Sequence, residues 1–188
     1  GNANWNAAPT VQKNILVAKG VQTFVSVSTA PTAMTVGDTY VVSATTSIGY
    51  SVVVTSPSNK ICTISGLTVT AIGSGFCLLT ISQSGDSNWK SVAVSQSIAV
   101  LAKGQTITSI STPLTNPVKD GVYKPSGIAS SGLAVTVSVD SSTANICSIT
   151  GNTLRVKGTG SCMLVFNQLG NAAYLPAAPV VQLLSVSL

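Results

Sequence analysis

ICTISGLTVTAIGSGFCLLTISQSGDSNW, residues 61–89, decides the fold, because it returns as ICSITGNTLRVKGTGSCMLVFNQLGNAAY at residues 146–174. Cys62 and Cys147 lie 85 residues apart, and so do Cys77 and Cys162. Gly66 and Gly151, Gly73 and Gly158, Gly75 and Gly160, and Gly85 and Gly170 keep the same interval. A fixed period of this size sets the architecture before any local reading. In 188 residues it leaves room for two small domains. Each builds one modest core, which a covalent staple would help.

Inside the block, Cys77, Leu79 and Ile81 alternate onto one face, as do Leu67, Val69 and Ala71. Cys62 shares a face with Ile64. Upstream, Gly20–Ser28 reads as a first strand, broken around Pro31, and Tyr40, Val42 and Ala44 as a second. Val52 and Val54 share a face in a third, and SVAVSQSIAV closes the repeat. Seven short strands with a turn signal every several residues predict an antiparallel β-sandwich. The second repeat follows the same plan, with Val135, Val137 and Val139 on one face. Lys124-Pro-Ser-Gly127 falls where its second strand should run, and proline removes a ladder donor there, predicting a shortened or bulged strand. Residues 1–18 repeat the end of the block: Gly1–Gln12 parallels Gly85–Gln96, and Trp5 parallels Trp89. Periodicity alone leaves open whether this overhang or residues 170–188 is the strand outside a complete domain.

Composition narrows function further. Charged residues are 7% of the chain, hydrophobic residues 45%, and Glu and His are absent. Ser, Thr and Asn supply the polarity, which suits strands and turns. Mean hydropathy is +0.48, yet no apolar run approaches the 18 or so residues of a spanning helix. No membrane insertion is expected. The net charge of +5 comes from nine scattered Lys and Arg against four Asp, with no basic run and no aromatic interleaving. That is solvated surface, and no nucleic-acid partner is expected. With no signal peptide at its start, the chain is expected to be a mature fragment or an excised piece of a longer protein.

Cys62, Cys77, Cys147 and Cys162 form two pairs, each 15 residues apart. Four cysteines allow three connectivities. Exact repetition favours Cys62–Cys77 and Cys147–Cys162, with buried free thiols as the alternative. Zinc would need more ligands than a repeat without His or CxxC offers, so no metal is expected. Disulfides imply an oxidising compartment and export.

KGQTIT at 103–108, SGLAVTVS at 131–138, ICSITGNTLRV at 146–156, GTGSC at 158–162, NQLGNAAY and AAPVVQ together resemble the bacterial immunoglobulin-like (Big-type) tandem repeats of very large surface and secreted proteins. SGLTV, GSGFC, SQSGDSNW and VSQSIAV carry the resemblance through the first repeat, and GNANWNAAPTVQ through the overhang. The pattern departs at Thr29–Val36 and at 124–127. The resemblance implies an all-β chain of two tandem immunoglobulin-like antiparallel β-sandwiches plus one extra terminal strand segment. The expected divisions are 1–18 (end of a preceding repeat), 19–102 and 103–188. The implied role is an extracellular spacer or adhesive stalk, without a cofactor.

Trp5, Trp89 and Tyr174 share one repeat position after a Gly-led loop. They are read as structural plugs of the sandwich ends, with a sugar-stacking platform as the rival. Asp86, Ser87 and Asn88 offer too few carboxylates for Ca²⁺, and Asp120-Gly121 and Asp140-Ser-Ser read as turns. A Lys–Asn crosslink lacks the buried acid it would need. Hydrolysis lacks a general base and paired carboxylates, so no catalytic residue is expected. Three functions remain: a non-catalytic spacer whose partners are neighbouring repeats; a fibre subunit that homo-polymerises by strand addition through the overhang; and a carbohydrate-binding module. The sequence identifies no cell-surface receptor or glycan.

Overall fold

The computed structural model describes residues 2–187. Gly1 and Leu188, the outer limits of the overhang and of the second repeat, lie outside the described residues. The chain between them is almost entirely short strands and turns. The first repeat contains β1 (Phe24–Val27), β2 (Ala33–Thr35), β3 (Thr39–Val41), β4 (Ala44–Thr46) and β5 (Val53–Thr55). It continues with β6 (Cys62–Ser65), β7 (Thr68–Ala71), β8 (Gly75–Gln83) and β9 (Val92–Leu101). One sheet has the order β2-β9-β8-β5; the other has β3-β7-β6, with β1 and β4 paired beside it. Val42 bonds Leu67 and Ser43 bonds Ser28, so β3 and β4 are two halves of one bent strand. The strand order is that of an immunoglobulin sandwich, four strands facing three across one core.

Three expectations need correction. Nine strand segments replace the seven read from the sequence, because the first and second strands are each broken in two. Pro31 separates β1 from β2: it lacks an N–H, and the chain changes sheets there. Arriving on the far sheet, β2 runs parallel to β9, pairing Ala33 with Ala99 and Thr35 with Leu101. The sandwich is therefore not wholly antiparallel. Leu67 also fails to join Val69 and Ala71 inside; it stands 38% exposed, beside the left-handed Gly66 turn and ahead of the strand proper.

The second repeat contains β10 (Ile107–Ile110), β11 (Val122–Tyr123), β12 (Gly127–Ala129) and β13 (Thr136–Val139). Then come β14 (Cys147–Thr150), β15 (Thr153–Val156), β16 (Gly160–Asn167) and β17 (Val180–Val186). Its sheets are β13-β16-β17 and β11-β15-β14, with β10 paired to β12. No strand corresponds to β2, where Pro113 and Pro117 bracket the segment and Leu114 packs against the core instead. Strand β11 is two residues long and stops short of Pro125, which is fully buried. Asp140 caps a single 3₁₀ turn, Ser141–Thr143, by accepting from the Ser142 N–H.

Alternation builds both cores. Along β8, Cys77, Leu79 and Ile81 are buried; along β16, Cys162, Leu164 and Phe166 are. Val135, Val137 and Val139 pack half-buried against the second core. The two cores are separate, one drawing on residues between Phe24 and Val100, the other on residues between Ile107 and Leu184. Residues 170–187 belong to the second sandwich, since β17 pairs along β16 from Phe166 to Gly160. The overhang is different. Residues 6–18 form no strand, and Val11, Ile15, Leu16 and Val17 are all exposed, Leu16 to 95%.

Candidate functional site

The loop between β8 and β9, repeated between β16 and β17, is where the recurring chemistry gathers. Gly85 has φ +72°, and a Cβ there would stand 2.3 Å from the Trp89 carbonyl, so the turn closes only on glycine. Gly170 repeats this against Tyr174 at 2.3 Å. Asp86 Oδ1 accepts from the N–H groups of Asn88 (2.7 Å) and Trp89 (2.8 Å). Asn171 Oδ1 does the same for Ala173 and Tyr174. Asn2 in the overhang forms a smaller version, bonding Asn4 and pairing with Trp5. The Asn88 N–H, the Tyr50 hydroxyl at 2.9 Å and the Trp89 N–H hold the exposed Asp86 carboxyl below the usual carboxylate range, with Lys19 adding to them. An oxygen that asparagine replaces at the next copy serves as a turn cap.

Each loop grips the first segment of its own repeat. Gly20 donates to Asn88 (2.7 Å) and accepts from Lys90 (2.9 Å). Lys103 likewise donates to Ala173 and accepts from Leu175, both at 2.8 Å. A carboxamide clamp backs each grip. Gln22 Nε2 donates to the Lys90 carbonyl (2.6 Å) and to Gln83 Oε1, which also accepts from the Gly85 N–H. Gln105 and Gln168 repeat the pattern with Leu175 and Gly170. A second recurring network holds the opposite strands: Tyr40 OH and Gln96 Nε2 both donate to the Ser28 carbonyl, as Tyr123 and Gln182 do to Ser111. The sequence reading gave none of the glutamines and neither tyrosine a hydrogen-bonding role. The signal was there: Gln22 and Gln105, Tyr40 and Tyr123, and Ser28 and Ser111 all lie 83 residues apart.

One clamp is incomplete. Ser131 Oγ donates to Gln105 Oε1, but Ile48 stands at the matching place and the buried Gln22 Oε1 has no partner. An unmet buried acceptor costs on the order of 1–3 kcal/mol. Ile48→Ser is therefore expected to stabilise the first repeat by about 1 kcal/mol, read by chemical denaturation of that repeat. A loss of stability would show that Ile48 packing outweighs the missing bond.

The three aromatics of the shared repeat position have three surroundings. Trp89 is half-buried and its ring lies over Gly20, where a Cβ would come within 2.7 Å of Cζ3. Tyr174 is half-buried, and Lys103 holds beside it the bridge position that Gly20 holds beside Trp89. Trp5 is 77% exposed. Gly20→Ala is expected to lift the Trp89 ring toward water and shift its fluorescence to the red; an unshifted spectrum would place the ring elsewhere.

The cysteines join the layers. Cys62 on β6 is bonded to Cys77 on β8, in the opposite sheet. Cys147 on β14 and Cys162 on β16 do the same in the second repeat. All four are buried, so each bridge runs through the core. Among the described residues, no three of His, Cys, Asp and Glu come together as metal ligands.

No protein-family model and no curated protein matches the chain. Among solved structures it is similar to human protocadherin-24 EC1-2, at 14% identity over 83% of this chain and 94% of that one, TM-score 0.31. It is similar to domains 5-6 of the S-layer protein SbsC, at 15% identity over 89% and 100%, TM-score 0.29. Titin domains z1z2 in complex with telethonin give 12% identity over 91% and 98%, TM-score 0.37. Scores this low carry no argument, and the immunoglobulin-like fold rests on the chain's own strand order.

Proposed function

We propose that the chain is a non-catalytic, exported structural repeat of the bacterial immunoglobulin-like (Big) type, serving as a spacer or stalk segment. The observation that carries this reading is the inter-sheet disulfide at the same place in each of two consecutive sandwiches. Such a bridge persists in oxidising compartments and resists separation of the two layers. The recurring polar residues support it as well, since the carboxamides, Tyr40 and Tyr123 spend their hydrogen bonds tying strand to strand.

A second reading rests on residues 6–18, a copy of the closing strand that lies exposed and unpaired while carrying Val11, Ile15, Leu16 and Val17. An unpaired strand of this kind completes a neighbour's sheet by β-addition. Light scattering at micromolar concentration, on the intact chain and on a chain lacking residues 1–18, separates the two. The spacer reading expects monomers in both cases. Oligomers that vanish on truncation would replace it with strand complementation.

A further inference from the structure

The basic residues that look scattered along the sequence are not scattered over the fold. Strands β11 and β15 pair Val122 with Arg155 and Tyr123 with Leu154, which sets Lys124 beside Thr153. The Asp120 N–H donates to the Val156 carbonyl (3.0 Å), and the Val156 N–H donates to the Gly121 carbonyl (3.0 Å). The pairing therefore runs on to the turn that holds Lys119, and it leaves Lys157 beside that turn. Leu154 and Val156 are buried, so Arg155 and Lys157 alternate with them onto the outer face. Lys124 is exposed there too, since Tyr123 before it faces the core. Lys119, Lys124, Arg155 and Lys157, four of the chain's nine basic residues, thus gather on one flank with one acid, Asp120, among them.

The fold does not require these charges. At the same places the first repeat has Val36, Val41, Thr70 and Ile72, and β3 pairs with β7 in the same way, Thr39 with Thr70 and Val41 with Thr68. Val41 and Ile72 stay 62% and 40% exposed although the second repeat rests on the nearby Ser74, whose N–H donates to the Ala172 carbonyl. The flank that carries Lys124 and Lys157 is therefore clear of the contact that one repeat makes with the next. Asp120 lies 3.3 Å from Arg155, with both side chains 65% exposed, and offsets one charge of the four. Hydroxyls stand alongside, Ser148 opposite Arg155 and Thr150 opposite Thr153.

We propose that the outer face of β11 and β15 binds a linear anionic polysaccharide through Lys124, Arg155 and Lys157. From Lys157 to the level of Lys124 is four residues of strand, about 13 Å, with Arg155 between them. Cations in a row on a flat sheet match charges repeated along a chain rather than one compact anion, and their like sign leaves a positive potential over the row. Ser148, Thr150 and Thr153 supply donors and acceptors for sugar hydroxyls. A single-stranded nucleic acid would call for a ring to stack on, and the ring of this sheet, Tyr123, is 9% exposed. The site uses none of the column formed by Trp5, Trp89 and Tyr174. It goes beyond the spacer reading, giving the second repeat a contact that the first lacks.

The test is titration of the full chain with a heparin-derived octasaccharide at low salt, followed by amide NMR. The Val122, Lys124, Arg155 and Lys157 amides are expected to shift together, while those of Thr39, Val41 and Thr70 stay in place. Lys124→Gln, Arg155→Gln and Lys157→Gln are each expected to weaken binding about fivefold. Asp120→Asn is expected to tighten it by a similar factor, and asparagine tolerates the left-handed turn at φ +65°. Lys13→Gln and Lys90→Gln remove the same charge elsewhere and are expected to leave the affinity as it was. Val41→Lys, Thr70→Arg and Ile72→Lys together are expected to give the first repeat a site of its own, doubling the stoichiometry. Thermal midpoints confirm that each variant is folded. The proposal is overturned by an octasaccharide that does not bind, by affinity that falls equally with Lys13→Gln and Lys90→Gln, or by duplex DNA binding as tightly. None of these outcomes touches the spacer reading, whose light-scattering test involves no polysaccharide.

Discussion

Replacing Cys147 and Cys162 together by alanine is expected to lower the stability of the second repeat by about 3 kcal/mol while leaving the first repeat's unfolding transition in place. The bridge closes a loop with a sequence separation of 15 and joins the two sheets. Cutting it frees β14 and β16 from one another in the unfolded chain, which gains conformational entropy. Both residues are fully buried, so lost sulfur packing adds to the cost. The two cores share no residue, so the first repeat keeps its own midpoint. Denaturant titration of the double variant should show one transition moved and one retained. A loss under about 1 kcal/mol would mean that β14 and β16 hold together without the staple.

Phe166→Ala is the most damaging single core substitution expected, at about 3–5 kcal/mol. Phe166 is fully buried on β16. Its ring and Val135 close over Gly127 on β12, which has no side chain: a Cβ there would meet Val135 Cγ1 at 3.0 Å and Phe166 Cδ1 at 3.2 Å. In the first repeat the matching pair is Ile81 with Ala44, a smaller residue facing a larger one. The two repeats fill the same space with different partitions of volume. Phe166→Ile alone should therefore leave a cavity, and adding Gly127→Ala should recover part of the loss. Denaturation midpoints of the three variants check this. A double variant less stable than Phe166→Ile would show that the cores are not interchangeable.

The sequence made the periodic parts of this fold legible and hid the parts that break the period. Cys77, Leu79 and Ile81 announce an inward face by alternation, and the structure buries all three. The parallel approach of β2 to β9 had no such signal, because three residues of strand after Pro31 do not say which sheet they join. Leu67 shares the parity of Val69 and Ala71 and still bonds Val42, yet it sits at the open end of the strand beside the Gly66 turn and stands exposed. At the loop site, the aromatic column was visible and the glutamines behind it were not. Buried carboxamides look like surface residues in a composition count; only their partners reveal the clamp. Their intervals are also 83 to 86 residues rather than a constant 85, since each repeat inserts single residues at different places.

Single-molecule pulling on the oxidised chain, repeated with a reductant, tests most directly whether these are stapled, independent load-bearing repeats. Two separate unfolding events are expected, one per sandwich. Reduction should lengthen each by about 50 Å, the extended length of the chain between Cys62 and Cys77 or between Cys147 and Cys162. One event for the whole chain, or lengths unchanged by reduction, would contradict the account.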